Sequence, residues 1–208
     1  MSIHITGKEI LPDTESKILE GAKKIFILKG LDGARMQEIA DEAGINKALL
    51  HYYFRSKQKL FEAVFTEVFA GVLPKVTEII NSDAPLLYKI EKFVDSYIDL
   101  LLKNPLLPIF ILNELYHQPG KLINLVKSSG IHPEVFFKQI KSEIETGNIR
   151  NIKPEHLIVN MISLCVFPFA GRPVIEEFMF NGDKKKYIRF IGERKEEIKK
   201  FIINSISV

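Results

Sequence analysis

A cluster of basic residues in the first third of the sequence lies beside aromatic residues that carry hydrogen-bonding groups. Four cations and no carboxylate occur between Gly44 and Leu60, although the net charge of the 208-residue chain is only +3. The four cations are Lys47, Arg55, Lys57 and Lys59. His51 and two tyrosines follow Lys47. Cations and hydroxyl groups bind phosphate, and side chains near a helix N-terminus read base edges in the major groove. The segment therefore has the groups that a DNA-binding element needs.

The same segment has the spacing of a helix-turn-helix. In this motif two short helices pack at a steep angle across a turn that contains glycine. Ala40 supplies a small residue where the helices approach, and Gly44 can take the positive φ that the turn requires. Apolar anchors are available at Ile39, Ala43, Ile45, Leu50 and either Tyr53 or Phe54. We predict helices over about 35–43 and 46–53, with Asn46 capping the second.

The remaining apolar residues recur with helical periodicity, and signals for strands are poor. A preceding helix is expected to end at Gly30, and a fourth helix is expected to start near Ser56 and run to Pro74. Prolines divide the rest of the chain, because each disfavours helix at the residue before it. Further helices are predicted over about 86–103, 107–117, 121–128, 132–146, 154–169 and 184–204. The sequence therefore predicts an all-α protein.

Residues 30–61 resemble the DNA-binding signature of the TetR family of bacterial transcriptional regulators. The family pattern is roughly I-A-x-x-A-G-V-S-x-x-x-L-Y-x-Y-F-x-S-K-x-x-L. The matching residues are Ile39, Ala40, Ala43, Gly44, Leu50, Tyr53, Phe54, Ser56, Lys57 and Leu60. The close resemblance covers about residues 8–65, and beyond it only length and helical character agree. It implies an N-terminal three-helix helix-turn-helix DNA-binding domain over 1–57. A larger helical ligand-binding and dimerisation domain would follow over 58–208.

The resemblance also implies individual roles in binding double-stranded DNA. The DNA-binding residues that we predict are Arg35, Gln37, Asn46, Lys47, Ala48, Leu49, His51, Tyr52, Tyr53 and Lys57. Those from Lys47 to His51 would face base edges, with Gln37 reaching in from the preceding helix. The two tyrosines and Lys57 would hold phosphates. Arg35 could supply a further phosphate contact near a position where the family often has threonine. Leu49 can offer only apolar contact, for example to a thymine methyl group.

Two C-terminal helices are expected to form a homodimer interface. The predicted helix over 154–169 is apolar nearly all round, so it must be buried on two sides. The helix over 184–204 carries a broad apolar stripe. Two such helices from each subunit would make a four-helix, two-fold interface. The alternative is that both helices lie within the core of one chain.

The middle helices are expected to enclose a small-molecule effector, because an apolar pocket with a few polar groups is the usual ligand site. The candidate lining residues are Phe69, Phe93, Tyr97, Phe110, Asn113, Tyr116, His117, Phe137 and Met161. The alternative is that these aromatic residues are ordinary core. We expect a ligand-responsive regulator, most simply a repressor that the ligand releases from a two-fold operator. The opposite sign, an activating ligand, remains open.

Catalytic and metal-binding signatures are missing from the sequence. The five histidines are scattered without a partner at metal-ligand spacing, and no nucleophile motif or phosphate-binding glycine loop occurs. We therefore expect no enzyme activity, no cofactor and no metal. A single cysteine, Cys165, rules out a disulfide within the chain, and an apolar signal core is lacking; both favour a cytoplasmic protein without a membrane partner. Two rivals remain, a helical enzyme that uses the pocket residues and a helix-turn-helix adaptor that does not bind DNA.

Overall fold

A computed structural model describes residues 12–208, apart from the side chains of Pro12, Asp13 and His117. Across this range the chain forms twelve α-helices and no β-strand, with one isolated backbone bridge between Ile149 and Ser207. The helices are α1 (Pro12–Gly33), α2 (Met36–Glu42), α3 (Lys47–Tyr53), α4 (Lys57–Ala70), α5 (Leu73–Asn81), α6 (Leu86–Lys103), α7 (Leu107–His117), α8 (Pro119–Ser128), α9 (Pro133–Glu145), α10 (Pro154–Ala170), α11 (Arg172–Phe180) and α12 (Lys184–Ile206). The prediction of an all-α protein is confirmed.

The chain forms two compact units, which divide between Ala70 and Gly71. In the first unit the apolar faces of α1 and α4 pack together, and the rings of Phe26 and Phe61 meet edge to face with centroids 4.9 Å apart. All of α4 therefore belongs to the compact N-terminal unit. The division of DNA binding and ligand binding at residues 57 and 58 stays a prediction, because compactness does not test which residues bind what.

Helix α1 approaches the end of α2 very closely at a glycine. A Cβ atom placed on Gly21 would lie 3.0 Å from the backbone nitrogen of Ala43 and 3.2 Å from its Cα and Cβ atoms. Real Cβ atoms seldom have contacts this short, so a side chain here would push the two helices apart. Further along α1, Gly30 has non-helical angles (φ 67°, ψ 179°), which kinks the helix where the sequence predicted its end.

Two helices in the second unit were not predicted. The expected fourth helix ended at Pro74, but the structure ends α4 at Ala70 and starts α5 at Leu73. Pro74 lies in the first turn of α5, where its missing N–H costs no hydrogen bond. Helix α11 likewise begins beside a proline, Pro173. A proline can therefore begin a helix as well as end one.

The core of the second unit is formed largely by α6, α10 and α12. Residues at helical spacing on these helices are fully buried, among them Ile90, Ile98, Leu157, Cys165 and Ile198. Tyr187 is also buried, and its hydroxyl donates a hydrogen bond to the carbonyl of Pro168 within α10, at 3.0 Å.

The lengths and compositions of the described helices bear on whether any of them could span a membrane. None of those within residues 12–208 is by itself both long enough and apolar enough to cross a bilayer. Helices α10 and α11 reach the required length and composition only as a pair, and they are bent by 71° at the break between them.

Candidate functional site

Helix α3 is held by its turn, its cap and one buried anchor. Gly44 in the preceding turn has φ +68°, a left-handed conformation that glycine adopts without strain. Asn46 then caps the helix, because its Oδ1 accepts a hydrogen bond of 2.7 Å from the backbone N–H of Leu49. Leu50 is completely buried on the inner face. These contacts fix both the start and the orientation of this seven-residue helix.

The outer face of α3 presents predicted DNA-binding residues to solvent. Lys47, Ala48, His51 and Tyr52 are exposed, and Tyr52 is 70% exposed. Leu49 and Tyr53 are half-buried. The rings of Tyr52 and Tyr53 meet edge to face, with centroids 5.8 Å apart. The helix can therefore offer a cation, an imidazole and a phenol hydroxyl to a partner without rearranging its core.

Two predicted residues at the start of α2 are also exposed. Arg35 occupies the N-cap position, and its backbone N–H donates to Oε2 of Glu38 at 3.3 Å. The other carboxylate oxygen of Glu38 accepts from Nζ of Lys29 at 2.8 Å, and this hydrogen bond lowers the pKa of Glu38. Gln37 donates to Oδ1 of Asp41 at 2.8 Å. Because Arg35 is exposed and only its backbone is engaged in the cap, its guanidinium can serve as a phosphate contact.

Lys57 makes contacts that the sequence did not predict. Its Nζ donates to the carbonyl oxygens of Asp32, at 3.2 Å, and Ala34, at 3.0 Å. Both carbonyls lie where α1 ends, so the ammonium stabilises the junction between α1 and α2. One N–H of the ammonium remains for a phosphate. The neighbouring cations Arg55 and Lys59 are exposed and extend the basic surface beyond the predicted residues.

The second unit contains two cavities that include three of the predicted pocket residues. The first, of about 520 Å³, is lined by residues of α5, of the turn before it and of α6, with Phe93 and Tyr97 among them. The second, of about 230 Å³, is lined by apolar residues that include Phe93 and Met161. The sequence did not predict the polar residues that line the first cavity, which are Lys75, Ser96, Asp99 and Lys103.

The other predicted pocket residues line neither of these two cavities. Phe69 and Phe110 are buried, with Phe69 in the first unit, and Phe137 is half-buried. Asn113 is exposed and Tyr116 is 85% exposed. The side chain of His117 lies outside the described part of the structure. The two cavities thus gather residues mainly from α5, α6 and α10 rather than from α7.

The single cysteine, Cys165, lies on the buried face of α10. Burial raises the pKa of Cys165 to about 12, so the thiol is protonated at neutral pH and is a poor nucleophile. Among the described residues, no three histidine, cysteine, aspartate or glutamate side chains lie close enough together to hold a metal ion.

Comparison with known proteins identifies the N-terminal segment. Residues 18–64 match the family model described as bacterial regulatory proteins of the tetR family. The chain is 27% identical over 170 residues to the HTH-type transcriptional repressor NicS of Pseudomonas putida, covering 80% of each protein. It is 26% identical over 209 residues to the HTH-type transcriptional regulator RutR of Escherichia coli, covering 99% of this chain and 97% of RutR.

The similarity extends to the fold of both units. A fatty acid metabolism regulator of Clostridium perfringens superposes with a TM-score of 0.69 and 21% identity, covering 92% of this chain and 99% of the other. HlyIIR, a haemolysin II transcriptional regulator, superposes with a TM-score of 0.59 and 24% identity, covering 86% of this chain and 96% of the other. The expected resemblance is confirmed: residues 18–64, which hold the helix-turn-helix of α2 and α3, match the model of the tetR family of bacterial regulatory proteins, and the relatives of similar length are transcriptional regulators.

Proposed function

We propose that this regulator is a homodimeric repressor that a small molecule releases from a two-fold DNA operator. The observation that carries the proposal is the exposed outer face of α3, a capped and anchored helix that presents Lys47, His51 and Tyr52 to solvent. Side chains at the N-terminal end of such a helix reach base edges when the helix enters the major groove. We further propose that the protein acts in the cytoplasm and has no catalytic activity.

The proposed contacts divide into base reading and phosphate binding. Lys47, Ala48, Leu49 and His51 face bases, and Gln37 assists from α2. The proposed phosphate contacts are Arg35, Tyr52, Tyr53 and Lys57, since guanidinium, ammonium and phenol hydroxyl groups are ordinary phosphate donors. Asn46 contributes by fixing the helix start, because its Oδ1 is already engaged with the N–H of Leu49.

Exposed apolar side chains in the second unit support the homodimer. Phe178 is 87% exposed, Val174 is 70% exposed and Phe167 is 66% exposed, although each lies on or next to a core helix. Phe201 and Ile188 on α12 are exposed as well. Apolar surface of this kind on a soluble domain marks an interaction surface. A two-fold dimer would cover it and would supply two reading helices about 34 Å apart, one for each half-site.

The ligand response is proposed from the cavities in the second unit. A ligand that prefers a conformation with wrongly spaced reading helices lowers DNA affinity by the coupling free energy, typically about 1–3 kcal/mol. That corresponds to roughly 5–150-fold in affinity. NicS is named as a transcriptional repressor, which favours repression over activation for this protein.

The decisive experiment is selection of bound fragments from random duplex DNA with the purified full-length protein. We expect enriched sequences with two-fold symmetry, bound by a dimer, and an affinity that falls steeply as the salt concentration rises. If no sequence is enriched and no salt-dependent affinity for DNA is measured, the adaptor that does not bind DNA is favoured. A stable monomer in light scattering would refute the homodimer.

A further inference from the structure

We propose that the second unit binds a single-chain amphiphile with an anionic headgroup, of which an alkyl carboxylate is the simplest example. The inference rests on the proposed ligand response and names the chemistry of the effector. It follows from the contrast between the two cavities, because cations are among the residues that line one and only apolar residues line the other.

The residues that line the first cavity carry an excess of positive charge. Lys75 and Lys103 line it and are exposed, and neither ammonium has an ion pair or hydrogen bond within the part of the chain that the structure describes. Asp99 also lines the cavity, but its Oδ1 accepts a hydrogen bond of 2.5 Å from Nζ of Lys195. That lysine neutralises the carboxylate, so the two lining lysines remain to attract an anion.

Neutral hydrogen-bond donors line the same cavity. Ser96 carries a hydroxyl, and Tyr97 carries a phenol whose pKa burial raises to about 12. The phenol therefore stays protonated at neutral pH and can donate to an anion. Two cations and two hydroxyl donors suit an acceptor-only group such as a carboxylate.

The second cavity suits a hydrocarbon chain. Every residue that lines its volume of about 230 Å³ is apolar, among them Phe136, Ile158 and Met161. A cavity with such walls holds no favourable position for water, so filling it with methylene groups is favourable.

The two cavities are adjacent and share two wall residues, Val76 and Phe93. These side chains form the partition between the charged region and the apolar region. A ligand with its headgroup at Lys75 and Lys103 can therefore extend its tail past the Phe93 ring into the second cavity. The first cavity alone lies within the range of about 300–1,000 Å³ that small-molecule sites occupy.

The test is calorimetric titration of the full-length protein with a graded set of amphiphiles below their micelle concentrations. The probes are octanoate, decanoate, dodecanoate, 1-decanol and decyltrimethylammonium. We expect carboxylate affinity to rise by about fourfold per added methylene until the second cavity is full. Decanol should bind about tenfold more weakly than decanoate or worse, because it lacks the charge. The cationic amphiphile should not compete with decanoate.

Lysine variants test the headgroup site. The double variant Lys75→Met with Lys103→Met should bind decanoate about tenfold more weakly or worse while its affinity for decanol is retained. The matched control is Lys141→Met, which removes an exposed lysine of α9 that lines neither cavity. This control should bind decanoate as the unchanged protein does.

A third variant tests the tail site. Val126 is half-buried and lines the second cavity, so Val126→Phe should reduce the affinity for dodecanoate to about that for octanoate. Circular dichroism checks that each variant folds. If a variant does not fold, the comparison of chain lengths and headgroups on the unchanged protein still decides the question.

Two results would overturn the inference: decanol binding as tightly as decanoate, or no binding of any carboxylate. Decanoyl-coenzyme A is a further arm, since tighter binding of the thioester than of the free acid would assign the anionic group to its phosphates. DNA selection is measured separately. Sequence-specific DNA binding without carboxylate binding would refute the ligand class alone, whereas carboxylate binding without DNA binding would refute the proposed function alone.

Discussion

Replacing Lys57 by methionine should lower both the stability of the N-terminal unit and its DNA affinity. The change removes two hydrogen bonds from an ammonium and leaves the carbonyl of Ala34, a residue that is only 2% exposed, without this partner. A hydrogen bond to a charged group contributes about 1.5–3 kcal/mol. Lys57 is half-buried, so water replaces part of that contribution. We expect a loss of about 1–3 kcal/mol for the pair of bonds.

The assay is urea denaturation followed by circular dichroism, with Lys59→Met as the matched control. Lys59 lies two residues further along α4 and is exposed, and its side chain makes no hydrogen bond or ion pair within residues 12–208. Its removal subtracts the same charge and should change the unfolding free energy by less than about 0.5 kcal/mol. Equal unfolding free energies for the two variants would refute the role of Lys57 at the junction between α1 and α2.

DNA binding by the same pair of variants tests the second role of Lys57. If its third N–H reaches a phosphate, Lys57→Met should weaken binding to all sequences alike. The slope of log affinity against log salt should then fall by about one unit. Weaker binding with an unchanged slope would contradict the phosphate contact and leave only the structural role.

Further expectations follow from other contacts. Asn46→Ala should destabilise the protein by about 1 kcal/mol through loss of the cap, whereas Asn46→Ser should retain most of the stability, as thermal denaturation would show. Lys47→Ala should change which sequences are enriched from random DNA, whereas an equal loss on every sequence would contradict base reading. Cys165 should resist iodoacetamide at pH 7.5 in the native protein and react after unfolding, because its pKa is raised to about 12. Phe201→Asp should yield monomers in light scattering, whereas Leu28→Asp, at an exposed apolar residue of α1, should remain dimeric.

The helix-turn-helix could be predicted because its sequence signals are local. Gly44 and Asn46 determine a turn and a cap within three residues, and both have the conformations that their side chains favour. Helix α6, predicted over 86–103, has those bounds in the structure. Helix α5 was missed because Pro74 disfavours helix before it and equally favours a helix start at its own position.

The cavities could be predicted only in part because they depend on how helices face one another. Phe93 and Tyr97 lie one turn apart on α6, so helical spacing alone places them on one face. Lys75 could not be assigned, because the helix that carries it was not predicted. Tyr116 was misleading, since α7 is so apolar that periodicity does not reveal which face is buried.

The close approach at Gly21 makes the position of α3 depend on a residue outside the helix-turn-helix. Ala43, which a side chain on Gly21 would displace, ends α2 only three residues before the cap of α3. An alanine at position 21 would bring its Cβ within 3.0 Å of the Ala43 backbone nitrogen, so Ala43 and the turn that leads into α3 would have to shift. If the proposed operator binding holds, a substitution at Gly21 changes how α3 is presented to DNA while every proposed DNA-binding residue stays the same.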